Sequence, residues 1–247
     1  MFKDLNENET FDTILNGSVE VIQPSKGYRF SIDALLVAYF AHHAANGLAV
    51  DLGCGCGIIS LLLLHQKKAK KLIGIEIQPE LFELAKRNIN LNNYQHCAQI
   101  LNEDINNAHQ IIASQSAKLV IANPPFFSVG EGKDNPNQQI SNARRENLVT
   151  MKQIIMVAKK LVSGSGRVAM IYPAERLYEL FANLESAKLP AKRIRMVHGK
   201  PDENARMVLV EAASRSGKNL VVDPPLILEN KDCTATEEAE RIVNGDW

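Results

Sequence analysis

Apolar positions along the chain change period repeatedly, and each change marks an element. Ile14-Leu15 and Val19-Glu20-Val21-Ile22 flank Asn16-Gly17, so a short strand pair with an Asn-Gly turn is predicted up to about Gln23. Ser31 can cap a helix running through Asp33 to Ala41. Beyond Gly47 the pattern alternates. Short apolar runs predict strands over Leu48–Asp51, Lys71–Glu76, Ala98–Leu101, Lys118–Ala122 and Gly166–Tyr172. Between them, helical spacing predicts helices over Ile58–Gln66, Pro79–Asn92, Leu148–Leu161 and Arg176–Lys188. In the second of these, Pro79 opens the helix and Leu81, Leu84, Ala85 and Ile89 share one face. Lys192–His198 and Arg206–Ala213 read as a final antiparallel pair at the sheet edge.

Strands alternating with helices imply an α/β fold, a mostly parallel sheet covered on both faces. Seven strands are expected, with an antiparallel strand at one edge. Residues 1–46 read as a small N-terminal extension and residues 47–247 as the main domain. In such sheets ligands bind beyond the carboxyl ends of the strands, which directs attention to the turns there.

Asp51-Leu52-Gly53-Cys54-Gly55-Cys56-Gly57 is the first of these turns. Its G-x-G-x-G spacing departs from the G-x-G-x-x-G dinucleotide fingerprint, and no G-x-x-x-x-G-K-[ST] phosphate loop occurs. An acid two residues before the first glycine repels phosphate and suits a cation or an amino group. Glu76 ends the second core strand about 20 residues on, where a carboxylate reaches ribose hydroxyls. Asp104 follows the third strand, where it can accept from an adenine amino group. Asp51, Gly53, Gly55, Glu76 and Asp104 together describe a pocket for a positively charged nucleoside amino acid. The set resembles the cofactor site of class I methyltransferases, which implies S-adenosylmethionine and a Rossmann-like fold.

The fourth strand delivers Asn123-Pro124-Pro125-Phe126 to the same edge. An exocyclic purine amine is a poor nucleophile because its lone pair is delocalised, and it needs acceptors for its N–H groups as charge develops. The Asn123 side-chain oxygen and the Pro124 carbonyl can provide them, and Phe126 offers a face for stacking. Asn123 also faces the cofactor side, and Pro125, Phe127, Arg144 and Arg145 are read as substrate contacts. Ser128–Glu146 is a long polar loop with the character of a lid.

The tetrad resembles the signature of methyltransferases acting on planar nitrogens. Gly27-Tyr28-Arg29-Phe30-Ser31-Ile32-Asp33-Ala34-Leu35-Leu36, Asn142-Ala143-Arg144-Arg145-Glu146, His198-Gly199-Lys200-Pro201 and Asp223-Pro224-Pro225-Leu226 extend the resemblance. They are similar to bacterial methyltransferases that modify an adenine beside the anticodon of a valine tRNA. That likeness covers most of the chain from about Gly17, and implies tRNA as partner and adenine N6 as target. One departure is Phe126-Phe127 where many members carry Tyr-Phe. Methylation of a guanine amine in ribosomal RNA or of a protein glutamine amide stays open, as does a non-catalytic assembly factor that binds S-adenosylmethionine.

Charge changes the picture only slightly: 28 basic and 28 acidic residues cancel, so RNA must be held by a local patch. Lys188, Lys192, Arg193 and Arg195 are the best candidates, whereas Lys67-Lys68-Ala69-Lys70-Lys71 reads as surface charge. Cys54, Cys56, Cys97 and Cys233 show neither disulfide nor zinc spacing, and the six histidines show no metal-ligand spacing. The polar start and short apolar runs predict a soluble cytoplasmic protein with no metal, no membrane span and no obligate protein partner.

Overall fold

The computed structural model describes residues 5–27, 29–42, 44, 47–124, 149–214 and 219–247. An N-terminal hairpin pairs β1 (Glu9–Ile14) with β2 (Val19–Pro24). Its turn runs through Leu15, Asn16 and Gly17, all at positive φ, as the Asn-Gly signal predicts. Ser31 accepts from the Asp33 N–H and caps α1 (Ile32–Phe40). The core then alternates through β3 (Leu48–Leu52), α2 (Ile58–His65), β4 (Lys71–Glu76), α3 (Pro79–Leu91) and β5 (Ala98–Asn102). After a 3₁₀ turn come α4 (Ala108–Ile111), β6 (Ala117–Ala122), α5 (Met151–Leu161), β7 (Val162–Pro173) and α6 (Leu177–Ser186). The chain finishes with β8 (Ala191–His198), β9 (Ala205–Ala212), β10 (Val221–Val222), β11 (Leu226–Ile227) and α7 (Glu237–Asn244).

Among the described residues the large sheet has nine strands in the order β10-β8-β9-β7-β6-β3-β4-β5, with β11 also on β8. β9 is antiparallel to its two neighbours, β7 and β8, and every other pair is parallel. The sheet is thus a mostly parallel, Rossmann-like one whose antiparallel element stands toward one end. Two two-residue strands, β10 and β11, widen it beyond the expected seven.

Side chains alternate across the sheet as a two-residue period demands. Ala49, Leu119, Ile121, Ala169 and Ile171 face the layer of α1, α2 and α3, while Val50, Leu52, Val120, Ala122, Val168 and Met170 face that of α4, α5 and α6. The whole of α2 from Ile58 to Leu64 is buried, so it reads as apolar all round rather than amphipathic. By contrast α5 is two-sided and opens with a capping box, Thr150 and Gln153 bonding each other's backbone N–H.

The Lys67–Lys71 run does not behave as one surface patch. Lys68 is buried, and its ammonium donates to the Ala38, Tyr39 and Ala41 carbonyls at the end of α1 while lying 4.6 Å from the Trp247 ring centre. It satisfies carbonyls that a helix end leaves without partners. Among the described residues no helix is long and apolar enough to cross a membrane.

Candidate active site

Parallel pairing brings the carboxyl ends of β3, β4 and β6 side by side. Leu52 pairs with Ile75 on one flank and Ala122 on the other, so Gly53, Glu76 and Asn123 leave the sheet at one level. The glycine turn is built for that exit. Gly53, Gly55 and Gly57 have φ of 77°, 58° and 85°, where a Cβ is strained. Gly53 and Cys54 N–H both donate to the Ile75 carbonyl at 2.9 Å, which folds the turn back over β4.

Two carboxylates lie under this turn. Gly55 N–H donates to Glu76 Oε2 and Gln78 N–H to Oε1, each at 2.9 Å. The Gln78 side chain and the Ile77 N–H also lean on this carboxylate, and a carboxylate, with about four lone-pair sites, can share them with a ligand's hydroxyls. Burial raises the Glu76 carboxyl above its usual range, and these backbone N–H groups oppose the rise. Asp51 is fully buried on the α2 side, where Ser60 Oγ donates to its Oδ2 at 2.7 Å. Its Oδ1 is buried and has no hydrogen-bond partner among the described residues. Burial pushes the Asp51 carboxyl up to about 7; Ser60 opposes this and the Glu76 charge adds to it. An unpartnered carboxylate oxygen costs free energy that a donor from a ligand or a bound water recovers. The donor set therefore fits a ligand carrying both an ammonium group and hydroxyls.

Asp104 lies past β5 and uses Oδ1 to accept from the Asn106 N–H at 2.8 Å, capping the 3₁₀ turn Ile105–Asn107. Asn123 is half-buried and Pro124 buried at the end of β6. Pro125, Phe126, Phe127, Arg144 and Arg145, with the rest of the Ser128–Glu146 loop, lie outside the described residues.

A sequence profile described as the Methyltransferase small domain matches residues 31–188, which span the glycine turn, both carboxylates and Asn123-Pro124. The chain belongs to this methyltransferase family. Among its relatives is a protein of Porphyromonas gingivalis (strain ATCC BAA-308 / W83) named tRNA1(Val) (adenine(37)-N6)-methyltransferase. It is 28% identical over 198 residues, covering 78% of this chain and 77% of that one. A protein of the same name from Flavobacteriaceae bacterium (strain 3519-10) is 23% identical over 92% of this chain and 91% of its own. Among solved structures, a predicted O-methyltransferase from Agrobacterium tumefaciens aligns with TM-score 0.68 at 21% identity, covering 86% of this chain and 96% of the other. TYW2 of P. horikoshii, in complex with MeSAdo, aligns with TM-score 0.58 at 15% identity, covering 85% and 73%. At such identities the structural likeness speaks for the fold.

Several polar and charged side chains of this methyltransferase serve packing, among them Arg193 and Arg195, which were expected in an RNA-binding patch. Arg29 donates to Thr10 Oγ1, the Pro24 carbonyl and Asp12, binding the segment after β2 to the hairpin. Arg193 pairs with Glu211 and Asp223 and lies over the Phe40 ring, and Arg195 forks onto Glu238. Those two cations of the expected basic patch are neutralised by neighbours. The Asp223-Pro224-Pro225-Leu226 motif is an extended link, since β10 before it and β11 at its end both pair parallel with β8; its Pro224 and Pro225 carbonyls accept from Arg195, and Leu226 is fully buried. Ser60 and Asn88 are the polar residues that sequence reasoning passed over. Asn88 had a visible signal, as an amide at the fully buried helical face of Leu81, Leu84, Ala85 and Ile89.

Proposed function

We propose that the protein transfers a methyl group from S-adenosylmethionine to the exocyclic N6 of an adenine in tRNA, the adenine beside the anticodon of a valine tRNA. The observation that carries this reading is the register that sets Asn123-Pro124 beside the glycine turn and its two acids. The names of relatives that match three quarters or more of the chain support the tRNA substrate.

When bound, S-adenosylmethionine supplies a methyl group made electrophilic by its sulfonium. Asp51 balances the ligand's ammonium, the Glu76 carboxylate accepts from its ribose hydroxyls, and Asp104 accepts from its adenine amine. The glycines allow close approach of the backbone. The target base leaves its stack to enter the site. The Asn123 side-chain oxygen and the Pro124 carbonyl accept from its amine N–H groups, lowering the cost of charge at nitrogen. Phe126 holds the ring in plane. No strong base is required, because the surplus proton leaves to water after transfer. Catalysis is mainly orientation and electrostatics.

Asn123→Ala tests the assignment. Affinity for S-adenosylhomocysteine is expected within about three-fold of wild type, while methylation of unmodified valine tRNA falls by about 100-fold or more, the size of losing one such acceptor. Nucleoside mass spectrometry reads the product as N6-methyladenosine. Unchanged turnover in the variant, or methylation appearing on guanosine, refutes the reading.

A further inference from the structure

A side-chain amide carries one acceptor and N–H donors arranged like a peptide group, so it can occupy a strand edge as another strand would. Helix α3 does this twice. Asn88 Oδ1 accepts from the Ile22 N–H at 2.7 Å, and its Nδ2 donates to the Ile22 carbonyl at 2.8 Å. One turn later, Asn92 Oδ1 accepts from the Glu20 N–H at 3.0 Å, and its Nδ2 donates to the Glu20 carbonyl at 2.7 Å. The match is metric. Alternate strand residues lie roughly 6.6 Å apart, and four helical residues rise roughly 6 Å. Since β1 occupies one edge of β2, the two amides close the other edge of β2 against α3.

The amides differ in one bond. Asn92 spends its second donor on its own helix, at the Asn88 carbonyl. Asn88 sends its second donor to the Cys56 carbonyl at 2.8 Å, inside the glycine turn. Asn88 is fully buried, and this bond is not needed to fasten the hairpin. A turn with three glycines has many accessible backbone states, so an outside tether selects among them.

We propose that Asn88 is a positioning residue for the cofactor turn, its amide holding the Cys56 carbonyl to the edge of β2 so that the hairpin fixes the shape of Gly53–Gly57. The inference rests on reading that turn as the S-adenosylmethionine site. Asn88 itself touches no reacting atom.

Asn92→Ala provides an internal control, because it removes the same kind of hairpin bonds without touching the turn. Binding of S-adenosylhomocysteine is measured by titration calorimetry, and hydrogen exchange of the residue 53–57 amides is measured without ligand. Asn88→Ala should raise Kd by about ten-fold or more and speed exchange in the turn. Asn92→Ala should change Kd less than about two-fold and leave the turn's exchange as in wild type. Should Asn88→Ala fail to fold, Asn88→Gln keeps the amide but displaces it by a methylene, and is read in the same way. Equal Kd changes for the position-88 and position-92 variants overturn the proposal. Wild-type protein that does not bind S-adenosylhomocysteine overturns the cofactor reading beneath it instead.

Discussion

Asp51→Asn should flatten the dependence of stability on pH. The carboxyl ordinarily titrates near 3.8, and burial raises it to about 7 in the folded protein. Between those values the folded chain holds a proton that the unfolded chain has released. Stability from this group is therefore full below about pH 4, declines as pH rises, and stops declining above about pH 7. At 1.36 kcal/mol per pKa unit, the decline between about pH 5 and about pH 8.5 comes to roughly 3 kcal/mol. Asparagine does not titrate over this range. The variant's stability relative to wild type should thus improve by roughly 3 kcal/mol from the lower to the higher pH, whatever its offset at either one. Urea denaturation of the ligand-free protein across that pH range measures the difference. Parallel profiles for wild type and variant would refute the claim that the buried carboxyl is raised. The same substitution should weaken S-adenosylhomocysteine binding at about pH 8.5, because the ligand ammonium then meets a neutral amide.

Two other substitutions test features away from Asp51. Lys68→Ala leaves the Ala38, Tyr39 and Ala41 carbonyls without their buried donor, and should cost roughly 2–4 kcal/mol in urea denaturation with cofactor affinity unchanged; a loss under about 0.5 kcal/mol would return Lys68 to ordinary surface charge. Tyr178 is 88% exposed just past the carboxyl end of β7, the strand beside β6, and under the proposed RNA substrate its ring is expected to stack on a base next to the target. Tyr178→Ala should raise KM for tRNA by about ten-fold or more, from stacking worth roughly 1–3 kcal/mol, with kcat within about two-fold. An unchanged KM removes Tyr178 from the RNA surface.

The parallel core could be read from the chain because each of its strands is a short apolar run closed by a turn signal. Lys71–Glu76 and Pro79–Asn92 match β4 and α3 to within a residue. What escaped had weak or contrary local signals. Strands β10 and β11 are two residues each, too short for any period to show. Helix α7 has a Thr236 cap and a left-handed Gly245 stop, yet buries only Ala239 and Ile242, so its apolar face is a single turn wide. Strand β7 starts at Val162, directly out of α5, and the Ser163-Gly164-Ser165 stretch hid its first residues. The placing of Asp51, Glu76 and the glycine turn at the carboxyl end of the sheet was legible from order and spacing. The tether from Asn88 was not, since a contact spanning 66 residues to Ile22 leaves no mark in local sequence. The ion pairs of Arg193 and Arg195 were hidden likewise, because their acidic partners lie on β9, after β10 and on α7.

Helix α2, enclosed along its length, limits what the turn feeding it can do. A segment locked on every side has no room to swing when a small molecule arrives. The entropy of fixing that floor is lost at folding, not at each encounter, which favours tight capture by a ready-made surface. Adaptation to differently shaped guests then falls to the rim.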